Sequence, residues 1–462
     1  MSLTTTPQSP NHPNRRQFIA GSAAAAVFGF TIVPRHVLGG VGFIAPSERV
    51  NIAGIGVGGM GGGDVATVSK LGANIVALCD VDDERAAGSF NAHPKAKKYR
   101  DFREMIDKEA KNIDAVTVGT PDHIHAVATL AAIRAGKHVF CQKPLTHTLL
   151  ECRTVTEAAR KAGVATQMGN QGHATEGARL TNEWIQAGII GEVREVHCWS
   201  DRAGKLWKQG IGRPAESPAI PKTLDWNLWQ GPIVERPYNP AYCPVGWRGW
   251  VDYGTGAMGD MGCHIIDHPV WALKLGAPTT VQSRTTLDGS ELEGKRPNTE
   301  TYPIAAMIFY DFPARGELPP VRLTWYDGGL MPATPSELPA GERLPDNGVL
   351  YIGSKGKMFH SSHGGMPRLL PAGLHDAAIK VPKSMARSAG HYEEWLAACK
   401  GGPAAISNFE YAGPMTETAL LGVLSLRAPG RRLEWDSASL KFKNAPEMNP
   451  FVHTEFRKGW TL

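Results

Sequence analysis

The spacing of apolar and polar positions changes character once along the chain. Between residues 50 and 168, apolar runs of four to seven residues at 50–55, 74–79, 113–119, 138–141 and 164–168 are separated by longer stretches of mixed polarity. Runs this short and this apolar read as strands of a parallel sheet covered on both faces. The stretches between them predict helices at 85–98, 101–106, 126–135 and 151–162. Beyond residue 168 the alternation stops. A helix is expected at 176–187, strands at 193–199, 279–286, 305–310, 322–325 and 349–352, and helices at 391–399 and 415–426. Stretches 327–347 and 361–385, rich in Gly, Pro and Ser, read as surface loops. The expectation is a doubly wound α/β domain over 47–168, followed by an α+β domain over 169–462 with a large open, mostly antiparallel sheet.

The first strand runs into Gly56-Val57-Gly58-Gly59-Met60-Gly61, a G-x-G-x-x-G spacing. Gly56 suits the tight turn, Gly58 the approach of a pyrophosphate, and Gly61 close packing of the next helix, so the loop reads as the cradle of a Rossmann domain. The next strand stops at Asp80, 19 residues beyond Gly61, where a carboxylate can bind an adenosine ribose and repel a 2′-phosphate. That favours NAD over NADP. Ligands of such sheets lie at the carboxyl ends of the strands, which brings Thr120, Pro121, His123 and His125 toward the cofactor, and likewise Gln142 and Lys143 ahead of Pro144. Lys143 could equally be a surface lysine in a turn.

In the second half, six of twelve tryptophans fall between residues 199 and 250, with Tyr238, Tyr242 and Tyr253 beside them. Such rings either stack on the C–H faces of a sugar or pin a long irregular segment by packing, and both uses can coexist. Asp260 and His264 stand four residues apart in a Gly-rich stretch, so on a helix they share one face. An imidazole beside a carboxylate suits removal of a hydroxyl proton during hydride transfer from a carbinol. A capping aspartate and a buried histidine would show the same spacing. No metal site is expected, since Asp267 falls on another helical face from Asp260.

The 462 residues carry 49 basic and 44 acidic side chains, and no basic run is interleaved with aromatics, so a small molecule rather than nucleic acid is the expected partner. Seven cysteines without a Cys-x-x-Cys pair suggest neither a disulfide framework nor a zinc ribbon. Residues 1–46 read as a leader: Arg15-Arg16 and Phe18 precede a small, apolar run to Val33 that is too short to span a bilayer comfortably. A twin-arginine signal is expected, with the periplasm as destination and membrane association only through an uncleaved signal.

Taken together, the glycine loop, Asp80, Thr120-Pro121-Asp122-His123, the Lys143-Pro144 turn and Gly259-Asp260 with His264 and Asp267 resemble the glucose-fructose oxidoreductase, inositol dehydrogenase and MocA (Gfo/Idh/MocA) family. The leader, Trp226-Asn227, Trp247-Arg248 and Thr416-Glu417-Thr418 resemble its exported members. The resemblance implies an NAD-dependent oxidoreductase acting on a sugar or cyclitol hydroxyl, assembled as a dimer or tetramer, with its cofactor tightly bound. It implies Lys143, Asp260 and His264 as the catalytic residues. Asn170, Trp247, Arg248 and Tyr253 are expected to join Asp260 and His264 around the substrate. A redox-assisted glycosidase working through a transient keto-sugar is the alternative. Gln142 departs from the family, which usually has Glu there.

Overall fold

The computed structural model describes residues 49–287 and 298–462; the leader at 1–46 lies outside the described residues. Six strands form an all-parallel sheet in the order β3-β2-β1-β4-β5-β6: β1 (Asn51–Ile55), β2 (Asn74–Cys79), β3 (Lys97–Tyr99), β4 (Ala115–Val118), β5 (His138–Cys141) and β6 (Thr166–Met168). The order reverses at β1, which opens a crevice at the carboxyl ends of β1 and β4. The helix expected to run to residue 98 stops at Ala92, and Lys97–Tyr99 becomes the edge strand. Two exposed lysines and a half-buried tyrosine give no apolar run to detect.

Helix α1 (Gly59–Lys70) starts inside the glycine loop. Gly56 has φ +72, a turn that favours glycine, and a Cβ on Gly61 would lie 1.9 Å from the Gly56 carbonyl oxygen. The sequence of glycines therefore fixes how closely α1 leaves the sheet. Helices α2 (Asp83–Ala92), α3 (Phe102–Glu109), α4 (Asp122–Arg134) and α5 (Leu149–Ala162) complete the layers, and α6 (Glu176–Gln186) and α7 (Trp226–Gln230) follow in the second half.

The second sheet is built from β7 (Val193–Trp199), β8 (Thr280–Thr285), β9 (Ala306–Phe312), β10 (Val321–Tyr326), β11 (Gly348–Gly353), β12 (Lys357–Ser361), β13 (Arg368–Leu370), β14 (Arg432–Asp436) and β15 (Lys441–Phe442), in the order β13-β12-β11-β7-β10-β9-β8-β14-β15. All its pairings are antiparallel except β7 with β10 (Val321–Tyr326), which run parallel, so it is a mixed sheet. Of the two expected loops, 327–347 is irregular and packs Leu338 and Leu344 against Trp199 and Tyr326. The other, 361–385, contains β13 (Arg368–Leu370) and a short helix.

Two late helices tie the sheets together. One, His391–Cys399, lays Tyr392 on Phe140 of β5 with ring centroids 5.0 Å apart and buries Trp395 against the same ring. The other, Phe409–Ser425, packs on α5, where Arg153 and Glu417 form a bidentate pair at 2.7 and 2.8 Å. The first sheet is thus finished by residues from the far half of the chain.

Candidate active site

The crevice encloses about 430 Å³ and runs from Asp80 to His264. Its floor comes from the glycine loop and the carboxyl ends of β1, β4 and β5, which bring in Gly56, Gly58, Gly59, Met60, Asp80, Thr120, Pro121, Gln142 and Lys143. Its far wall is helix α8 (Gly256–Ile265) with Trp247 and Arg248 just ahead of it.

Helix α8 begins at Gly256, so Asp260 stands mid-helix rather than as a cap, one turn before His264. A Cβ on Gly259 would lie 1.9 Å from Thr255 Oγ1; glycine there leaves the Thr255 hydroxyl room to donate to Asp122 Oδ2 at 2.6 Å. Lys143 Nζ donates to Asp260 Oδ1 at 2.6 Å and to the Asp260 carbonyl at 2.8 Å. Arg248 Nε reaches the same carboxylate oxygen at 3.1 Å, its guanidinium 4.2 Å from the Trp247 ring centre. His147 and Gly254 O complete the seam at 3.0 Å. The first sheet and α8 are therefore fastened by polar bonds across the crevice itself.

Burial alone would raise the Asp260 carboxyl, but Lys143 and Arg248 hold it well below the usual carboxylate range. Burial, then the neighbouring Lys143 charge, pushes His264 well below an ordinary imidazole, so it is neutral near pH 7. Asp122, also on the crevice wall, is pushed up to about 6 by burial, against the Thr255 hydrogen bond and the Lys143 and Arg248 charges.

Several expected residues lie elsewhere or are held by other partners. His123 and His125 belong to α4, which starts at Asp122 and not at 126. Their rings turn into the protein: His123 bridges the Tyr253 and Trp229 carbonyls at 3.1 and 2.9 Å, and His125 bridges the Thr120 and Pro144 carbonyls at 2.8 and 2.7 Å. Both hold the crevice walls in place without lining it. Asn170 is buried and accepts from Ser407 Oγ at 2.6 Å. Tyr253 is fully buried in an aromatic cluster with Trp226, Trp229, Tyr242 and Trp250, in which Trp226 and Trp229 stack at 4.7 Å. Packing therefore accounts for most of the aromatic segment; of its tryptophans, Trp207, Trp229 and Trp247 reach the crevice. Asp80, expected at a ribose, fastens the glycine loop, accepting from Val57 N at 2.8 Å and Gly58 N at 3.1 Å through one oxygen and from Asp82 N at 3.0 Å through the other. Asp267 faces away, bonded to His173 and Tyr411 at 3.0 and 2.6 Å. Among the described residues, no group of three or more His, Cys, Asp or Glu is placed to hold a metal ion.

Sequence reasoning missed Arg85, which lies across Gly58 and Gly59, and His363, which stacks on His264 with ring centroids 4.1 Å apart. His363 sits in the stretch read as a surface loop, at φ +60. A histidine followed by two glycines was the one available signal. Gln142 Nε2 donates to both oxygens of Asp64 at 2.9 Å, and Tyr392 donates to Asp64 Oδ1 at 2.7 Å. A buried carboxylate at 64 explains why an amide stands at 142.

Comparison with known proteins bears on this geometry. Residues 50–170 match the NAD-binding Rossmann-fold model of the GFO/IDH/MocA oxidoreductase family, and residues 177–291 match its C-terminal alpha/beta domain. Inositol 2-dehydrogenase of Salmonella typhimurium is 31% identical over 147 residues, 31% of this chain and 43% of that protein. A 1,5-anhydro-D-fructose reductase of Ensifer adhaerens is 35% identical over 129 residues, 28% of this chain and 38% of that one. The chain thus aligns with less than half the length of these relatives. The WlbA dehydrogenase of Bordetella pertussis, solved with NADH and UDP-GlcNAcA, shares the fold with TM-score 0.57 at 16% identity, covering 84% of this chain and 99% of that one. The cradle fits a dinucleotide: a Cβ at Gly56 would meet Thr120 Cγ2 at 2.7 Å and one at Gly61 the Gly56 carbonyl at 1.9 Å, so glycine is what lets the turn close tightly onto the N-terminus of α1, with the Arg85 guanidinium beside Gly59 as a cation for a phosphate. On the matched segments and this cradle, the chain belongs to the Gfo/Idh/MocA oxidoreductase family, its first sheet being the NAD-binding Rossmann domain.

Proposed function

We propose that the protein is an NAD-dependent oxidoreductase acting on a ring hydroxyl of a sugar or cyclitol, with the cofactor retained between turnovers. The observation that carries this reading is the 2.6 Å bond from Lys143, at the end of β5, to Asp260 on α8, with His264 one turn further along the wall of the same crevice as the glycine loop. The loop residues Gly56 to Gly61 would hold the pyrophosphate, with Thr120, Pro121 and Gln142 along the path toward Lys143. When bound, NAD supplies the hydride acceptor. Lys143 orients the substrate hydroxyl, and His264, kept neutral by burial and by the Lys143 charge, takes its proton. Asp260 keeps Lys143 in place and balances its charge. His363, packed on His264, and Arg248, held over Trp247, close the substrate end. Two relatives, an inositol 2-dehydrogenase and a 1,5-anhydro-D-fructose reductase, favour a polyhydroxylated ring as substrate.

The test is to load the protein with NAD and screen cyclitols, sugars and glycosides for reduction of the bound nucleotide. His264→Ala and Lys143→Ala should each cut turnover by roughly 10²–10⁴ while the nucleotide stays bound. Near-full turnover in either variant would remove these residues from the chemistry. Release of an aglycone without net reduction would favour the glycosidase instead. Export through Arg15-Arg16 belongs to the same proposal. Changing both to Lys should leave the protein in the cytoplasm, and unaltered export would refute it.

A further inference from the structure

Part of the crevice wall comes from residues outside both matched family segments. Trp460 lines the crevice at the Asp80 end, beside Arg100, Asp101 and Phe102. In a doubly wound sheet, that end, at the tip of the second strand, takes the adenosine half of a dinucleotide.

Two further pieces of chain enclose it. Residues 223–225 cross over the tip of β2: Asp83 N donates to Thr223 O at 3.1 Å, Asp225 N donates to Val81 O at 2.8 Å, and Asp82 bridges Leu224. This strip forms a roof and continues through Asn227 to Gly231. Residues 457–462 then pin the roof to the floor. Arg457 Nε donates to Gly231 O at 2.6 Å, its Nη2 to Asn227 O at 2.7 Å and Asn227 Oδ1 at 2.6 Å, and its backbone N to Pro232 O at 2.9 Å. The additional pair with Glu235, whose side chain is 74% exposed, adds little. Three residues later, Trp460 packs on the Rossmann floor, with the Arg103 guanidinium 4.3 Å from its ring centre and Phe102 at 6.1 Å. Arg103 is itself held by Asp101 at 2.6 Å, and Arg134 donates to Leu462 O at 2.9 Å. At Gly231, φ +54, an added Cβ would lie 2.1 Å from Ile124 Cδ1 and 3.8 Å from Trp460, so roof, tail and floor meet there.

We propose that residues 457–462 are a latch on the cofactor site, Arg457 gripping the roof and Trp460 the floor, so that a bound dinucleotide leaves only when the latch lets go. This rests on the NAD reading of the crevice above and gives cofactor retention a physical cause. A roof held by one strip can swing; pinned at both ends, it must break several hydrogen bonds and expose an indole before the adenosine end opens.

The experiment is a chase on the full-length protein: load NADH, mix with excess NAD, and follow the loss of bound NADH fluorescence, alongside the fraction of nucleotide surviving gel filtration. Arg457→Ala and Trp460→Ala, which attack the latch from opposite ends, should each release NADH at least about tenfold faster, the factor that one net hydrogen bond makes in a rate. Lys458→Ala, an exposed position in the same segment, should release it at the wild-type rate. Bound-nucleotide reduction by a sugar in a single turnover should be unchanged in Lys458→Ala. Wild-type release rates in both variants, with or without a lower melting temperature, would show residues 457–462 to be structural only and overturn the latch while leaving the NAD reading intact. If one variant does not fold, the other decides. A wild-type protein that takes up no NADH would overturn the cofactor reading and the latch with it.

Discussion

Burial, not motif, decides what each polar residue near the strand ends can do. Asp64 is pushed up to about 6 by burial, even with Tyr392 and Gln142 donating to it. A glutamate at 142 would replace the amide donor with a second carboxylate, and like charges so close cannot both ionise in a buried site. Gln142→Glu is therefore expected to cost about 2 kcal/mol or more of stability at pH 8. The folded pair would titrate above an unfolded carboxylate, so the deficit should shrink as pH falls through 6 and be smallest below about 4. Urea unfolding at pH 8 and pH 5 measures this, and an equal deficit at both would contradict it. Lys143, Asp260 and His264 come together in the crevice because strand ends and a four-residue spacing leave few places for them to go. His123 and His125 do not line the crevice because a polar residue just past a strand end can face it or turn inward, and the turn depends on carbonyls such as those of Pro144 and Trp229, supplied from elsewhere in the chain; Tyr253 is turned inward by the aromatic cluster it packs in.

Element boundaries show where local chemistry speaks and where it is overruled. Helix α5 starts with a capping box: Thr148 Oγ1 accepts from Glu151 N, and Glu151 Oε2 accepts from the His147 and Thr148 amides at 3.0 and 2.9 Å. The expected start at 151 was two residues late, because the cap is Thr148 and Leu149 and Leu150 already lie in the helix. This box also fixes His147, which bonds to the loop before α8, so it sets the path of the chain between Lys143 and the helix. Glu151→Ala leaves two amides without acceptors and should cost about 1–3 kcal/mol, seen as a lower urea midpoint with an unchanged slope. Glu151→Gln keeps an acceptor oxygen and should restore most of the loss. If alanine and glutamine behaved alike, the box would not be the source of the effect. The helix expected at 415–426 in fact begins at Phe409, capped by Asn408, which accepts from Glu410 N and Tyr411 N. Pro414 inside it reads as a breaker in sequence, yet the packing of this helix on α5 and α8 overrides one missing hydrogen bond.

The two sheets read as two domains in sequence, yet their cores are finished jointly. Trp395, fully buried, comes from residues 391–399 and packs on Phe140 of the first sheet, while Phe409 and Met415 join the core that α4, α5 and β4 share with the second. Periodicity could reveal each sheet, since each strand carries its own pattern; it could not reveal that a helix 250 residues further along covers β5, because that depends on the return path of the chain. Truncating the ring in Trp395→Ala removes a large core side chain and should cost about 3–5 kcal/mol. The loss should not be local. Because residues 391–425 bridge both sheets, the near-ultraviolet signal of the aromatic cluster at 226–253 and nucleotide binding at the glycine loop should disappear in the same, earlier transition. A fragment of residues 47–170, which lacks this cover, should bind hydrophobic dye and show no cooperative melting, although it contains every strand of the Rossmann sheet. Separate transitions for the two halves, or a fragment that melts cooperatively and binds NAD unaided, would mean that the first sheet stands without the helices that cover it here.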